Sequence, residues 1–484
     1  MVTEVRDTVR NAGLLIAQRA FHVVGAALFA VLIPRLMGPE IFGRYALLTS
    51  VSMWFALLSG LGAVSMMTRS VPRFLAAHAT GEVRKLATSL LALRAGTGAL
   101  TSTVYFLIAA FALGEPDLVA AAFISVAVFS RTVANLCFAL FLGLNQAARW
   151  GMGELMRRWL TLVFVLVGFL LAGLRGACLG FLVANLVVLA IGLSWAWPHL
   201  SWGDIDLSRR YLSPFLRMGT YFAMGNVLIS LAQRSGEALV RLATGNYAEV
   251  GFYGAAYSIY VVGAHALWQF AIAFAPLLIA MLERGQTDAV REWVERLLKW
   301  LVPLGVLGVF AVLFLGNDLV PLVLGDEFRA VSRNLVPLTF ALLALSAGGI
   351  ARLVAFTLDR PGIVATAAAL ELSTFWVLGL PLARQAGSFG ASVAALGASM
   401  AYAGFITWRI RRELRYSLTI PLRAIAVGLP FLLLLLARSS GPMNVLLFLA
   451  ATSGYAVLMF ATRIVTIDEI SAARQFLRTP HTEP

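Results

Sequence analysis

The chain has 484 residues, of which 60% are hydrophobic and 13% are charged, and its formal net charge is +14. Long apolar stretches recur from one end to the other, which excludes a soluble protein with a single anchor and predicts a polytopic membrane protein. Spanning strands would give segments of about ten residues with alternating polarity. The stretches here are apolar all round and about twenty residues long, so an all-α fold class is expected.

Arginine carries almost all of the positive charge, since Lys85 and Lys299 are the only lysines. In a membrane protein, the first explanation for this excess is cytoplasmic loops that set the orientation of the spans. Cys137 and Cys178 both lie inside apolar stretches, which indicates neither a disulfide framework nor a metal site. The polar N-terminal segment does not have the pattern of a cleavable signal, so the first apolar stretch is expected to remain as a span.

Fourteen spans are predicted along the chain. They lie at about 11–33, 43–66, 86–113, 118–142, 159–174, 177–197, 215–243, 251–281, 297–316, 334–357, 363–383, 390–408, 424–437 and 443–462. Alternate connections hold about 25 basic residues, against about 7 in the others, as expected if the basic set is cytoplasmic. No connection is long enough for a folded extramembrane domain. Both termini are therefore expected in the cytoplasm.

Landmarks recur at an offset of about two hundred residues. Gly13 matches Gly219, and Arg35 matches Arg241, each arginine standing before a glycine-bearing turn. Six spans separate the copies, and an even number keeps their orientation, so a parallel repeat with a pseudo-two-fold axis is predicted. The expected division is an N-terminal six-helix lobe over 1–206, a C-terminal six-helix lobe over 207–412, and two additional helices with a cytoplasmic tail over 413–484.

The stretch from Phe215 to Thr244 is apolar enough to span a membrane, yet polar side chains follow one of its helical faces. A charge in the membrane costs on the order of 3 kcal/mol or more, so these residues should face a bundle interior or an aqueous path. Arg241 is expected at the outer interface, with Arg234 and Glu237 deeper. A self-satisfied Arg234–Glu237 pair at i, i+3 and the lining of a substrate path both remain open.

Intramembrane arginines outnumber carboxylates, so pairing cannot neutralise all of them and a cavity for an anionic group is predicted. The candidate substrate-binding residues are Gln18, Arg19, His22, Asn226, Arg234, Glu237, His265 and Arg352, and the candidate coupling residues are Glu237 and Glu371. Glu371 also has the alternative of pairing with Arg352, and His265 that of a packed histidine. Arg94 and Arg131 lie near span ends and are expected to extend towards an interface.

The sequence contains no metal-spaced His/Cys set, Walker loop or nucleophile elbow. No enzymatic activity and no cofactor are therefore expected. Without an ATP site, transport would depend on an ion gradient (of Na+ or H+), on the membrane potential or on the substrate gradient.

The opening segment LIAQRAFHVVGAALFAVLIPRLMGPEIFGRYALLTSV resembles the start of bacterial polysaccharide flippases, within the multidrug/oligosaccharidyl-lipid/polysaccharide exporter superfamily. The residues that carry the resemblance are Met37, Gly38, Pro39, Phe42, Gly43 and Tyr45, followed in a second region by Gly325, Phe328, Arg360 and Pro361. The resemblance implies two six-helix lobes in a V around a basic cavity that opens alternately to either side.

The resemblance also implies a substrate and a location. Members of the family move an undecaprenyl-diphosphate-linked sugar from the cytoplasmic to the outer face of the bacterial inner membrane, for surface polysaccharide biosynthesis. Cavity arginines would hold the diphosphate of this polyprenyl-linked glycan. Membrane lipids and other polysaccharide-assembly proteins are the expected partners, and nucleic acid is not.

Two alternatives remain open. A cation-coupled small-molecule exporter of the same superfamily predicts an acidic cavity, against which the arginine excess argues. A membrane glycosyltransferase or polymerase usually needs a sizeable outer loop for its chemistry, and this chain has none.

Overall fold

Helices make up nearly all of the chain in a computed structural model, which describes residues 2–60, 62–439 and 441–465. The side chains of residues 2–20, 22, 214–224 and 226 lie outside this description. No strand occurs in the described ranges. The α-helices are α1 Val2–Leu58, α2 Ala63–Ala76, α3 Thr80–Leu107, α4 Leu118–Gly143, α5 Ala147–Ala196, α6 Arg209–Arg234, α7 Gly236–Thr244, α8 Tyr247–Ile272, α9 Ala275–Glu283, α10 Thr287–Phe310, α11 Gly316–Leu324, α12 Arg329–Thr357, α13 Pro361–Leu414, α14 Thr419–Gly428 and α15 Pro442–Ala461. Short π-helical segments cover Ile108–Ala112 and Ala311–Leu315, and 3-10 segments cover Trp197–His199, Trp202–Asp204, Asp326–Phe328 and Leu429–Ala437.

The fourteen predicted spans are confirmed. Within the described residues, ten helical segments are long and apolar enough to cross a membrane. Three of them, containing α1, α5 and α13, are interrupted by non-helical residues and hold two spans each. The segment formed by α6 and α7 is the remaining span. The predicted all-α polytopic fold is therefore correct.

The backbone irregularities recur in the order that the internal repeat requires. Gly38 interrupts α1 with φ 71°, and Gly245 ends α7 with φ 67°. Gly173 turns the chain inside α5 with φ 58° and ψ −138°, and Gly387 turns it inside α13 with φ 59° and ψ −138°. An L side chain rarely adopts positive φ, which explains the glycines at these four turns. The turns at Gly173 and Gly387 thus have the same geometry, whereas Gly38 and Gly245 share a positive φ but differ in ψ (167° and 2°).

Small residues allow α1 and α8 to meet backbone to backbone. A Cβ atom on Gly43 would lie 1.9 Å from the carbonyl oxygen of Tyr247, and one on Gly251 would lie 1.9 Å from that of Pro39. Membrane helices pack through such small residues because lipid provides no hydrophobic force to hold them together. This crossing places α1 beside α8, and α1 also packs against α7.

The described contacts divide the chain into two compact units. The first comprises 1–262 with 371–391, and the second 263–370 with 392–484. The core of the first unit lies among α2, α3, α4 and α5, with Met66, Leu86, Phe138, Phe141 and Val188 almost fully buried. The division into lobes at 1–206 and 207–412, which follows the repeat, stays a prediction.

Candidate substrate and coupling sites

The seventh span is broken at its most polar point. The sequence predicts one helix over 215–243, but α6 ends at Arg234, Ser235 intervenes and α7 begins at Gly236. A Cβ atom on Gly236 would lie 1.9 Å from the ring of Tyr253, so glycine is what lets α7 start against α8. Irregular backbone at membrane depth is tolerated where it is buried in protein or lines a cavity, and transporter sites often form at such breaks.

A side chain from α1 satisfies the backbone at this break. The indole N–H of Trp54 donates to the carbonyl oxygen of Arg234 at 3.0 Å. The carbonyls at the end of a helix have no partner within it, so an external donor of this kind stabilises the end of α6. The Ser235 hydroxyl donates to the carbonyl oxygen of Leu231 at 2.6 Å.

Arg234 and Glu237 occupy different environments on either side of the break. Arg234 is exposed, whereas Glu237 is buried and its Oε2 atom has no hydrogen-bond partner among the described residues. Ser235 itself has helical dihedral angles (φ −84°, ψ −15°), and Arg234 acts electrostatically on the Glu237 carboxylate across it. The unpartnered Oε2 atom shows that Arg234 does not fully satisfy this carboxylate.

Four arginines of the first unit form what we call the arginine cluster: Arg131 on α4, Arg157 and Arg158 on α5, and Arg234 at the end of α6. Arg131 lies within electrostatic range of the other three, and Arg158 lies within range of Arg234. Two carboxylates interact with them: Glu154, whose Oε1 atom is 3.1 Å from Nη1 of Arg157, and Glu237, which interacts electrostatically with Arg234. The cluster therefore keeps an excess of positive charge.

Two members of the cluster were not among the residues predicted from the sequence. The fifth span was predicted to begin near 159, with Arg157 and Arg158 in a basic cytoplasmic connection. The helix α5 instead begins at Ala147, so both arginines are carried by a regular helix. The signal was available, because neither proline nor glycine separates Glu154 from the apolar run after Arg158.

The packing of the cluster leaves donors free. Arg157 is 5% exposed, and its Nε and Nη2 atoms have no hydrogen-bond partner among the described residues. A Cβ atom on Gly25 of α1 would lie 3.2 Å from Cδ of Arg158, so a glycine makes room for that side chain. Arg131 was expected to extend towards an interface, but it lies among these charges. Unpaired guanidinium donors are suited to an anionic ligand.

The buried carboxylate of Glu237 lies in a pocket between α1 and α8. The Ser50 hydroxyl on α1, which donates to the carbonyl oxygen of Leu47 at 3.2 Å, also interacts with this carboxylate. On α8, the Cβ position of Gly254 is 3.8 Å from Cγ of Glu237. Tyr253 stacks on Tyr257, with ring centroids 5.5 Å apart.

The two candidate coupling residues are close to one tyrosine. Tyr257 interacts electrostatically with both Glu237 and Glu371. Its ring is also 5.3 Å from that of Tyr260. Carboxylates surrounded by hydroxyls provide oxygen ligands for a cation and acceptors for a proton.

Two candidate substrate residues belong to the second unit. The guanidinium of Arg352 lies 4.5 Å from the ring centre of Trp268 and 5.5 Å from that of Phe356. Stacking on aromatic faces orients an arginine while leaving donors available, and the Nε atom of Arg352 is buried without a hydrogen-bond partner among the described residues. His265 is exposed on α8. Sequence analysis identified Arg352 but not Trp268.

Four candidates lie where the structure describes only the backbone helix. Gln18, Arg19 and His22 belong to α1, and Asn226 belongs to α6, but their side chains are outside the described set. Their roles stay predictions.

The residue predicted at the outer interface is engaged locally. The guanidinium of Arg241 donates to the carbonyl oxygen of Gly245 and lies 3.9 Å from the ring centre of Tyr247. The Tyr247 hydroxyl is 3.4 Å from Oε2 of Glu115. The other oxygen of this carboxylate, Oε1, accepts a hydrogen bond from Nε of Arg44. These contacts indicate a structural role for Arg241, apart from the arginine cluster.

A second ion pair stabilises the connection before α4. The Nε atom of Arg175 donates to Oδ2 of Asp117 at 2.8 Å. Burial alone would raise the pKa of Asp117, but the hydrogen bonds from Arg175 and from the backbone N–H of Ala120 hold this pKa below its usual value. Asp117 therefore stays ionised and fixes the start of α4 on α5.

Comparison with known proteins gives one family match. The family model described as polysaccharide biosynthesis protein matches residues 8–282. No curated protein matches the sequence of the chain.

Several solved structures share the fold. The lipid II flippase MurJ in an inward closed conformation has a TM-score of 0.74 at 10% identity, covering 94% of this chain and 100% of that chain. An inward-facing multidrug resistance MATE family transporter of the MOP superfamily has a TM-score of 0.68 at 15% identity, covering 82% and 94%. A MOP superfamily transporter from Pyrococcus furiosus has a TM-score of 0.57 at 16% identity, covering 83% and 95%. At these identities the likeness establishes the fold alone.

Proposed function

The chain belongs to the polysaccharide biosynthesis protein family, and from this membership we propose that it is a flippase for a polyprenyl-diphosphate-linked oligosaccharide. Its fold is that of the multi-pass transporters of the MOP superfamily. In the proposed cycle, alternating access moves the glycan head group from the cytoplasmic to the outer face of a bacterial inner membrane. Fourteen spans return the chain to the side where it began, so both termini lie on one side of the membrane. The basic connections assign that side to the cytoplasm in this scheme.

The arginine cluster is the observation that carries the proposal. A diphosphate diester has two negatively charged phosphates, and guanidinium groups bind phosphate oxygens in pairs with good geometry. The four arginines of the cluster interact with two carboxylates, Glu154 and Glu237, so positive charge remains to be neutralised. Holding an anion between helices also offsets the desolvation penalty that an unpaired buried cation suffers. The lipid tail would stay in the bilayer while the head group occupies this site.

Arg352 and His265, in the second unit, are also proposed as substrate contacts. The stacked guanidinium of Arg352 resembles the arginine–aromatic arrangements used to recognise planar or phosphorylated groups. Gln18, Arg19, His22 and Asn226 complete the proposed substrate set. Because these residues come from α1, α6, α8 and α12, the set draws on both sequence repeats.

The buried carboxylates support a proposal for the driving force. Glu237 and Glu371 both act on Tyr257, and Ser50 contributes a hydroxyl to Glu237. We assign this group to Na+ or H+ coupling, so that binding or release of the cation biases the conformational equilibrium. The arginine cluster and the carboxylate pocket would then divide substrate binding from coupling.

The buried carboxylates Glu237 and Glu371 also support a second candidate function, a cation-coupled exporter of small molecules. Buried carboxylates and the likeness to a multidrug resistance MATE family transporter favour it. The arginine cluster, however, would repel the cationic drugs that such an exporter carries. Drug resistance on overexpression, without any effect on surface polysaccharide, would favour this second function.

The experiment is a complementation assay in the native host lacking this gene. The variant Arg234→Gln is expected to abolish surface polysaccharide at an unchanged level of membrane protein, since it removes one cluster cation without disturbing buried packing. Arg329→Gln is the matched control, because Arg329 is 75% exposed and pairs with Asp326. Normal polysaccharide in the Arg234→Gln strain would contradict the proposed site.

A further inference from the structure

A second buried arginine, Arg94 on α3, is separate from the arginine cluster. It is 3% exposed. Its guanidinium makes one hydrogen bond among the described residues, from Nε to the carbonyl oxygen of Thr132 at 3.2 Å. Its Nη1 atom is buried without a partner, and no charged side chain in the described set interacts with it. A buried charge of this kind carries a desolvation penalty of several kcal/mol, so a counterion is expected.

The guanidinium of Arg94 lies at a break between two helices. The helix α1 ends at Leu58, and α2 begins at Ala63. The residue before α2 is Gly62, with φ 73°, so no N-cap side chain accepts a hydrogen bond from the first turn of α2. Nη1 of Arg94 is 3.0 Å from the Cβ position of Gly60. The backbone N–H of Ala63 donates to the carbonyl oxygen of Gly60 at 2.8 Å, so the first turn of α2 is adjacent. The positive end of a helix and a buried cation therefore lie side by side.

Carbonyl groups at the end of α1 accept hydrogen bonds from other donors, and among the described residues none accepts one from Nη1 of Arg94. These bonds are Ser59 N to Phe55 O at 2.9 Å, Ser59 Oγ to Ala56 O at 2.8 Å, Gly60 N to Leu57 O at 2.9 Å, and Thr97 Oγ1 to Ser59 O at 3.2 Å. The terminal carbonyls are the groups that would otherwise cap a nearby arginine. Nη1 therefore has no acceptor among the described residues and is available to a ligand.

We propose that this break binds a small monovalent inorganic anion, chloride in particular, between the guanidinium of Arg94 and the first turn of α2. Helix N-termini and arginine side chains are both preferred anion ligands. The site is closed to bulk solvent, since Nη1 is buried and Arg94 is 3% exposed, so a small ion is favoured over a glycan diphosphate. The anion would hold the kink between α1 and α2 in one geometry.

The test is thermal unfolding of the purified full-length protein in detergent, in sodium chloride and in sodium gluconate at equal ionic strength. Ligands that bind the folded state raise the melting temperature in proportion to the logarithm of their concentration above Kd. The wild type should melt about 2 °C or more higher in chloride than in gluconate. Equal melting temperatures in the two salts would overturn the proposal.

Two variants localise the effect. Arg94→Gln removes the cation and should abolish the difference between chloride and gluconate. Gly60→Ala keeps the cation but places a methyl group 3.0 Å from Nη1, so it should also reduce the difference. Because each variant is compared with itself in two salts, a general loss of stability does not obscure the result. If Arg94→Gln does not fold, Gly60→Ala decides.

Arg329→Gln is the control and should retain the full chloride effect. A chloride effect that persists in Arg94→Gln, or in Gly60→Ala where that variant decides, would overturn the assignment. Stabilisation by sodium phosphate but not by chloride would contradict a halide, because a larger oxyanion would then be the ligand. The result is independent of the proposed flippase function, since no lipid-linked substrate enters the assay.

Discussion

The indole N–H of Trp54 donates a hydrogen bond to the backbone carbonyl of Arg234 at 3.0 Å, and so joins α1 to the break in the seventh span. This contact holds the end of α6 at the point where the arginine cluster and the carboxylate pocket separate. It also explains how a helix can end at membrane depth without leaving this carbonyl unsatisfied.

Trp54→Phe removes this donor and keeps an aromatic ring. The expected cost is about 1 kcal/mol, the usual net value of a hydrogen bond, seen as a lower melting temperature of the purified protein. Transport should fall as well, because the position of Arg234 depends on the helix end. Phe42 on the same helix is almost fully buried and makes no hydrogen bond to that carbonyl. Phe42→Leu therefore controls for a change in packing alone. Unchanged transport in Trp54→Phe would show that the bond does not position the site.

Gly236→Ala is expected to destabilise the protein by about 1–3 kcal/mol, because the added methyl group overlaps the ring of Tyr253. Thermal unfolding measures the loss. The control is Gly349→Ala on α12, where a Cβ atom meets nothing within 4 Å. Equal melting temperatures for the two variants would mean that α7 does not start against α8 as described.

Glu237→Gln preserves the size of the buried side chain and removes its charge. Transport of labelled lipid-linked glycan into proteoliposomes should become insensitive to an imposed Na+ or H+ gradient. The exposed Glu327→Gln serves as control and should respond to the gradient as the wild type does. A gradient response that survives in Glu237→Gln would exclude this carboxylate from coupling.

The spans and the repeat were predictable because both depend on local pattern. Apolar runs of membrane-spanning length identify a span whatever its neighbours, and glycines such as Gly38 and Gly245 mark turns that only positive φ allows. The arginine cluster was not predictable, because it joins α4, α5 and α6 through contacts far apart in sequence. In the sequence, Arg157 and Arg158 look like residues of a basic cytoplasmic loop. Only the start of α5 at Ala147 shows that they belong to a helix.

The environment of buried arginines was likewise hidden in the sequence. Arg94 was expected to extend to an interface, yet it is 3% exposed and bonded to the backbone of α4. The length of an arginine side chain permits both outcomes at the same position in a span. Tertiary packing decides between them, and Gly60 beside the guanidinium is part of that packing. The break at Ser235 was also missed, since serine and glycine occur within continuous membrane helices.

The most direct test of the central claim is the affinity of the purified protein for a polyprenyl diphosphate, compared with the corresponding polyprenyl alcohol. The wild type should bind the diphosphate more tightly, and Arg158→Gln should lose about tenfold or more of that affinity, because a hydrogen bond to a charged group contributes about 1.5–3 kcal/mol. Its affinity for the alcohol should not change, and Arg329→Gln should match the wild type with both ligands. Equal affinities of the wild type for diphosphate and alcohol, or an unaltered diphosphate affinity in Arg158→Gln, would contradict the account.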